Sequence, residues 1–131
     1  MRCAVMMSQD DPYLPLATLL MGTLGAYYDI SYFHEVHDLR TADFLPDIII
    51  LGMGNWRSLL LRHYASLGTA APHFIQLLPP PAYEEKVIDW GRTYLIFQQP
   101  DLDETTGTLQ FEGFYSALSA IRKMRSGQAK V

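Results

Sequence analysis

Asp47-Ile48-Ile49-Ile50-Leu51, followed by Gly52-Met53-Gly54, is the most strand-like stretch of the chain. Its apolar residues do not alternate with polar ones, so the strand has to be buried on both faces. A central parallel strand between two layers of helix meets that requirement. After the glycine loop, Asn55 is placed to cap a helix in which Trp56, Leu59, Leu60, Tyr64 and Leu67 share a face, and Gly68 stops it. A fourth strand is expected at residues 73–78, HFIQLL, broken by the prolines 79–81. Tyr83, Val87 and Trp90 then mark a helix ended by Gly91, and TYLIF at 93–97 gives a fifth strand.

Toward the N-terminus, Pro46 ends a short polar helix running to about residue 44, because the residue before proline avoids helical geometry. Tyr28–Phe33, rich in aromatic and branched residues, reads as a second strand. Asp11 and Pro12 supply a cap and a first-turn proline to a helix in which Leu16, Leu19, Leu20 and Leu24 recur at helical spacing. Residues 2–7 form the first strand, which runs into Ser8-Gln9-Asp10-Asp11. The segment 101–110 is either a small hairpin or an extended loop, and Phe114, Ala117, Leu118 and Ile121 set the face of a last helix.

Five alternations of strand and helix specify an α/β fold with a parallel sheet covered on both sides. Right-handed crossovers leave a flavodoxin-like three-layer α/β/α sandwich, five strands in the order 2-1-3-4-5, as the simplest topology. One domain spans residues 1–131, with an irregular insertion at about 101–112 before the last helix.

Composition agrees with a single globular core: 131 residues, of which 49% are hydrophobic and 18% charged. A net charge of −4 is unsuited to a nucleic-acid partner. The one basic cluster, Arg122, Lys123, Arg125 and Lys130, complements the negative end of the final helix. Cys3, the lone cysteine, reads as a small buried hydrophobe. The opening apolar run is too short for a signal peptide and no segment is long enough to span a membrane, so the expected place of action is the cytoplasm.

In open α/β sheets, ligands bind beyond the carboxyl ends of the strands. At those points the chain carries Asp10 and Asp11 after the first strand, Gly52 after the third, Leu78 after the fourth and Gln99-Pro100 after the fifth. This spacing resembles that of receiver domains of the response-regulator family, which place there an acidic pair, a phosphoacceptor aspartate, a Ser or Thr, and Lys-Pro. The resemblance covers residues 1 to about 100 and rests on spacing more than on motif residues. It implies a bacterial signal-transduction module, and this chain departs from it where the chemistry sits. Gly52 has no carboxylate to phosphorylate, Leu78 no hydroxyl and Gln99 no ammonium to neutralise a phosphoryl group. Asp10 and Asp11 alone make a poor magnesium site, so neither a metal nor a cofactor is expected.

A degenerate, pseudo-receiver domain of this kind works by binding protein and not as an enzyme. The resemblance places the adhesive face on the fourth helix, fifth strand and fifth helix, here Tyr83, Trp90, Tyr94, Phe114 and Tyr115, and aromatics are favoured at interface centres. The occupant is either a foreign protein or a second copy in a homodimer.

LGMGNW, HFIQLLPPP and LQFEGFYSAL also resemble pieces of the SGNH hydrolase family, which implies an esterase with Ser8 as nucleophile and Gly54 and Asn55 as oxyanion donors. The family's late Asp-x-x-His block falls near Thr105 and Thr108, where neither residue is present, and a serine without a base is a weak nucleophile. His34, His37, His63 and His73 read as surface histidines, and GMGN is too short to cradle a phosphate.

Overall fold

The computed structural model describes residues 1–15, 17, 18, 22, 28–43, 45–52, 56–77, 87–90, 93–96, 101–103, 108–110 and 112–129. Side chains are described up to residue 77, Thr69 apart, and over 114–125. The chain is a mixed α/β protein built on a parallel sheet. β1 (Arg2–Met6) lies between β2 (Asp29–Phe33) and β3 (Ile48–Leu51), and β4 (His73–Leu77) continues the sheet beyond β3.

The sheet feeds two cores. Cys3, Val5, Met7, Ile48, Ile50, Ile75 and Leu77 point to one face. There they meet Ala17, in a helical segment after β1, and Phe114, Ala117, Leu118 and Ile121 of a C-terminal helix. Ala4, Met6, Ile49, Leu51 and Phe74 point to the other face. They meet Leu39 of α1 (Val36–Thr41) and Leu60 and Tyr64 of α2 (Arg57–Tyr64). Successive residues of a strand point to opposite faces, so the run Ile48–Leu51 serves both cores and shows no alternation. Each fully buried aliphatic side chain contributes about 1.5–3 kcal/mol.

α2 differs in detail from the periodic reading. Leu60 and Tyr64 are buried, whereas Leu59 and Leu67 are exposed. Asn55, the expected cap, lies outside the described residues, and Trp56 occupies the cap position without a side-chain bond. Past α2 the chain continues as a 3₁₀ turn (Ala65–Ala70) in which Gly68 takes φ 59°, a left-handed conformation that favours glycine.

β5 (Val87–Trp90) runs antiparallel to β6 (Thr93–Ile96), which pairs in parallel with β4. The helix expected from Tyr83, Val87 and Trp90 is therefore corrected to a strand over Val87–Trp90, and Tyr83 lies outside the described residues. Three markers at spacings of four and three fit a helical face. Val87, Ile88 and Trp90 are strand formers, however, and only two residues separate them from β6. β7 (Asp101–Asp103) and β8 (Thr108–Gln110) pair antiparallel, which resolves that segment as a hairpin. α3 (Glu112–Ala129) closes the chain. Among the described residues no helix is long and apolar enough to cross a membrane.

At the amino ends of the strands, α3 is tied down by charge. An Arg125 guanidinium nitrogen lies 2.7 Å from Asp47 Oδ1, and Nη1 donates to the Ala71 carbonyl and to His73 Nδ1, each at 3.2 Å. Asp47 Oδ2 accepts from the Arg2 backbone N–H at 2.8 Å, so one carboxylate joins β1, the start of β3 and α3. Arg125 thus serves a partly buried ion pair and not only the dipole of its own helix. Arg122 and Lys123 are exposed, and Lys130 lies outside the described residues.

Candidate functional site

The carboxyl ends of β1 and β3 bring Asp11 and Gly52 together. β1 ends at Met6, and the chain turns over Ser8–Asp11 with the Asp11 N–H donating to the Ser8 carbonyl at 3.0 Å. Asp11 Oδ1 accepts the Tyr13 backbone N–H at 2.9 Å, which is the capping geometry expected of an aspartate two residues before the first free N–H of a helix. Pro12 between them has no N–H to satisfy. Asp11 is only 6% exposed. Burial, reinforced by the Asp11 carboxylate, pushes the Tyr13 hydroxyl above its usual pKa.

The Asp11 carboxylate lies against Gly52, where a side chain at that position would project. A β-carbon on Gly52 would stand 2.6 Å from both Cγ and Oδ1 of Asp11, with Oδ2 closer still. No real contact is that short, so the backbone at the end of β3 accepts glycine and nothing larger while Asp11 keeps its place. The space that a side chain at position 52 would take is held by the carboxylate of Asp11. Gln76, buried in β4 beside Leu51, donates from Nε2 to the Gly52 carbonyl at 3.4 Å and adds a polar side chain under the same loop. Its signal in the sequence is the one polar residue inside HFIQLL.

Asp10 takes the opposite side of the turn. It is exposed and lines a cleft of about 660 Å³ with Ser8, Tyr32, Phe33, His34, Glu35 and Asp38, together with Gln9. The acidic pair is therefore divided, one carboxylate against Gly52 and one in the cleft. Among the described residues no group of three His, Cys, Asp or Glu side chains is placed to hold a metal ion. His34 Nδ1 stands 2.9 Å from the Met7 carbonyl, and since that oxygen can only accept, Nδ1 donates to it. His34 reads from the sequence as a surface histidine, and its place beside Ser8 and Asp10 in one cleft is set by the fold.

Leu78 and Gln99 lie outside the described residues. The five aromatics expected at an interface divide as well. Phe114 is fully buried in the core, stacked edge-on against half-buried Tyr115 with ring centroids 5.8 Å apart, so Phe114 belongs to the packing and not to a surface. Trp90 and Tyr94 occupy the neighbouring antiparallel strands β5 and β6, opposite Thr93 and Asp89 respectively. The chain matches no protein-family model, no curated protein and no solved structure.

Proposed function

We propose that the chain is a receiver-like domain without phosphoryl chemistry, acting by binding another protein in a regulatory or scaffolding role. The observation that carries this reading is the Asp11 carboxylate resting on Gly52: the volume in which a receiver's acceptor would stand is taken by a helix cap. The parallel order β2-β1-β3-β4, with β6 beside β4, supports a flavodoxin-like sandwich of order 2-1-3-4-5 to which β5 is an antiparallel addition. The net charge of −4 disfavours a nucleic-acid partner, and the cytoplasm is the proposed place of action.

The test is to incubate the protein with acetyl phosphate and magnesium and to measure its intact mass. An unmodified mass is expected, and a stoichiometric phosphate adduct would overturn the reading. Capture from the native host then identifies the partner, a second copy included.

One observation favours an esterase as the second reading. Ser8, the nucleophile of that alternative, shares its cleft with the imidazole of His34. Among the described residues no hydrogen bond joins the two. Hydrolysis of an activated ester that disappears in Ser8→Ala would establish this alternative; absence of turnover would dismiss it.

A further inference from the structure

We infer that the free edge of β2 and the acidic cleft at its carboxyl end form one docking surface for an extended, basic segment of a partner protein. The inference rests on the protein-binding reading above and names the chemistry of the partner.

Two features of different origin meet at Tyr32. The first is backbone. The Asp29 N–H donates to the Met1 carbonyl at 2.9 Å and the Phe33 carbonyl accepts from the Met7 N–H at 3.1 Å, so the odd-numbered residues of β2 turn their peptide groups toward β1. The N–H and C=O of one residue point the same way in a strand, so Ile30 and Tyr32 turn theirs outward. β2 ends the order of the sheet, and among the described residues no strand pairs with it on that side. Such an edge accepts a further strand.

The second feature is charge. The cleft that begins at Tyr32 carries the carboxylates of Asp10, Glu35 and Asp38, and among the described residues no Lys or Arg lines it. A segment laid along Ile30–Tyr32 runs directly into it. Lys or Arg at alternate positions would meet the three carboxylates and the exposed ring of Tyr32, which is 43% accessible. A second copy of the chain is the less suited occupant, because it brings the same net charge of −4.

The experiment is fluorescence anisotropy on the full chain with a labelled octapeptide of alternating Lys and Val. Binding is expected to weaken with added salt and to vanish when Glu replaces Lys. Methylation of alternate peptide nitrogens should abolish it, since that removes the donors without touching the protein. The triple variant Asp10→Asn/Glu35→Gln/Asp38→Asn should bind about tenfold more weakly or worse. Circular dichroism shows whether that variant folds; if it does not, the Glu and N-methyl comparisons on the unaltered chain decide. Equal binding of the Glu peptide, or full binding of the N-methylated one, overturns the proposal. So does displacement by spermine that leaves N-methylation without effect, since the cleft then takes free amines and not a strand. A partner captured from the host whose binding the Lys peptide does not compete refutes this surface and leaves the protein-binding reading intact. A phosphate adduct refutes the reading without phosphoryl chemistry and leaves the peptide result to stand by itself.

Discussion

Replacing Gly52 by alanine tests the contact on which the site depends. Gly52 is not at positive φ, so alanine is compatible with its backbone and by itself stabilises by about 0.4–1 kcal/mol through the unfolded chain. Against that stands a β-carbon 2.6 Å from Asp11 Cγ, roughly 1 Å inside ordinary contact. Relief requires the Asp11 side chain to swing away, which breaks its bond to the Tyr13 N–H, worth about 1 kcal/mol, or the end of β3 to shift, worth about 1–3 kcal/mol. Set against the gain of about 0.4–1 kcal/mol, the net expectation for Gly52→Ala lies between near neutrality and a loss of about 2 kcal/mol. Asp11→Ala alone should cost about 1 kcal/mol, the worth of the cap. In the double variant the clash is gone, so Gly52→Ala there should be neutral or slightly stabilising, and the cycle should show a coupling of about 2 kcal/mol. Urea unfolding followed by tryptophan fluorescence and circular dichroism measures all four corners. A Gly52→Ala effect of the same size in the native and the Asp11→Ala backgrounds would refute the contact.

Arg125→Met should destabilise by about 1–3 kcal/mol, since it strands a partly buried Asp47 carboxylate, and combining it with Asp47→Asn should recover part of the loss; thermal unfolding reads both. Phe114→Ala should cost about 3–5 kcal/mol and Tyr115→Ala distinctly less, whereas equal small effects would return Phe114 to the surface. Burial pushes the Cys3 thiol up to about 12 from 9.0, so it should resist thiol reagents at pH 8 until urea unfolds the chain. The same shift sets a pH dependence. Between about 9 and 12 the folded thiol keeps a proton that the unfolded one releases, so stability contributed by Cys3 is complete below about pH 9 and lost as pH rises toward 12. Cys3→Ala should flatten that alkaline loss in urea titrations.

The strands β1 to β4 are legible because burial on one or both faces writes itself directly into composition: Ile48–Leu51 has no polar residue, and Asp29–Phe33 at the sheet's end is mixed. β5 was not legible, because Tyr83, Val87 and Trp90 satisfy a helical spacing over a stretch too short to separate the two periods, and only pairing with β6 decides it. The adjacency of Asp10 and Asp11 suggests one acidic site, yet the turn Ser8–Asp11 sends neighbouring side chains to opposite sides. Arg125 looks like a helix-end charge because the partner that defines it, Asp47, lies 78 residues away in sequence. Strand ends and caps depend on near neighbours and are readable; ion pairs, clefts and the reason for a glycine depend on what the fold brings from elsewhere.

The glycine at 52 is the clearest case, because its meaning changes from an absence to a fit. Read alone, it is a missing acceptor. In the structure it is the surface on which Asp11 lies, and the same volume cannot hold both Asp11 and a second carboxylate. Gly52→Asp would place two like charges within one buried site and would also remove the first-helix cap, so an acceptor cannot be restored by that change alone. Any side chain at this strand end would require Asp11 to be released first. A side chain at position 52 and the cap from Asp11 are competing uses of one space, and in this chain the cap holds it.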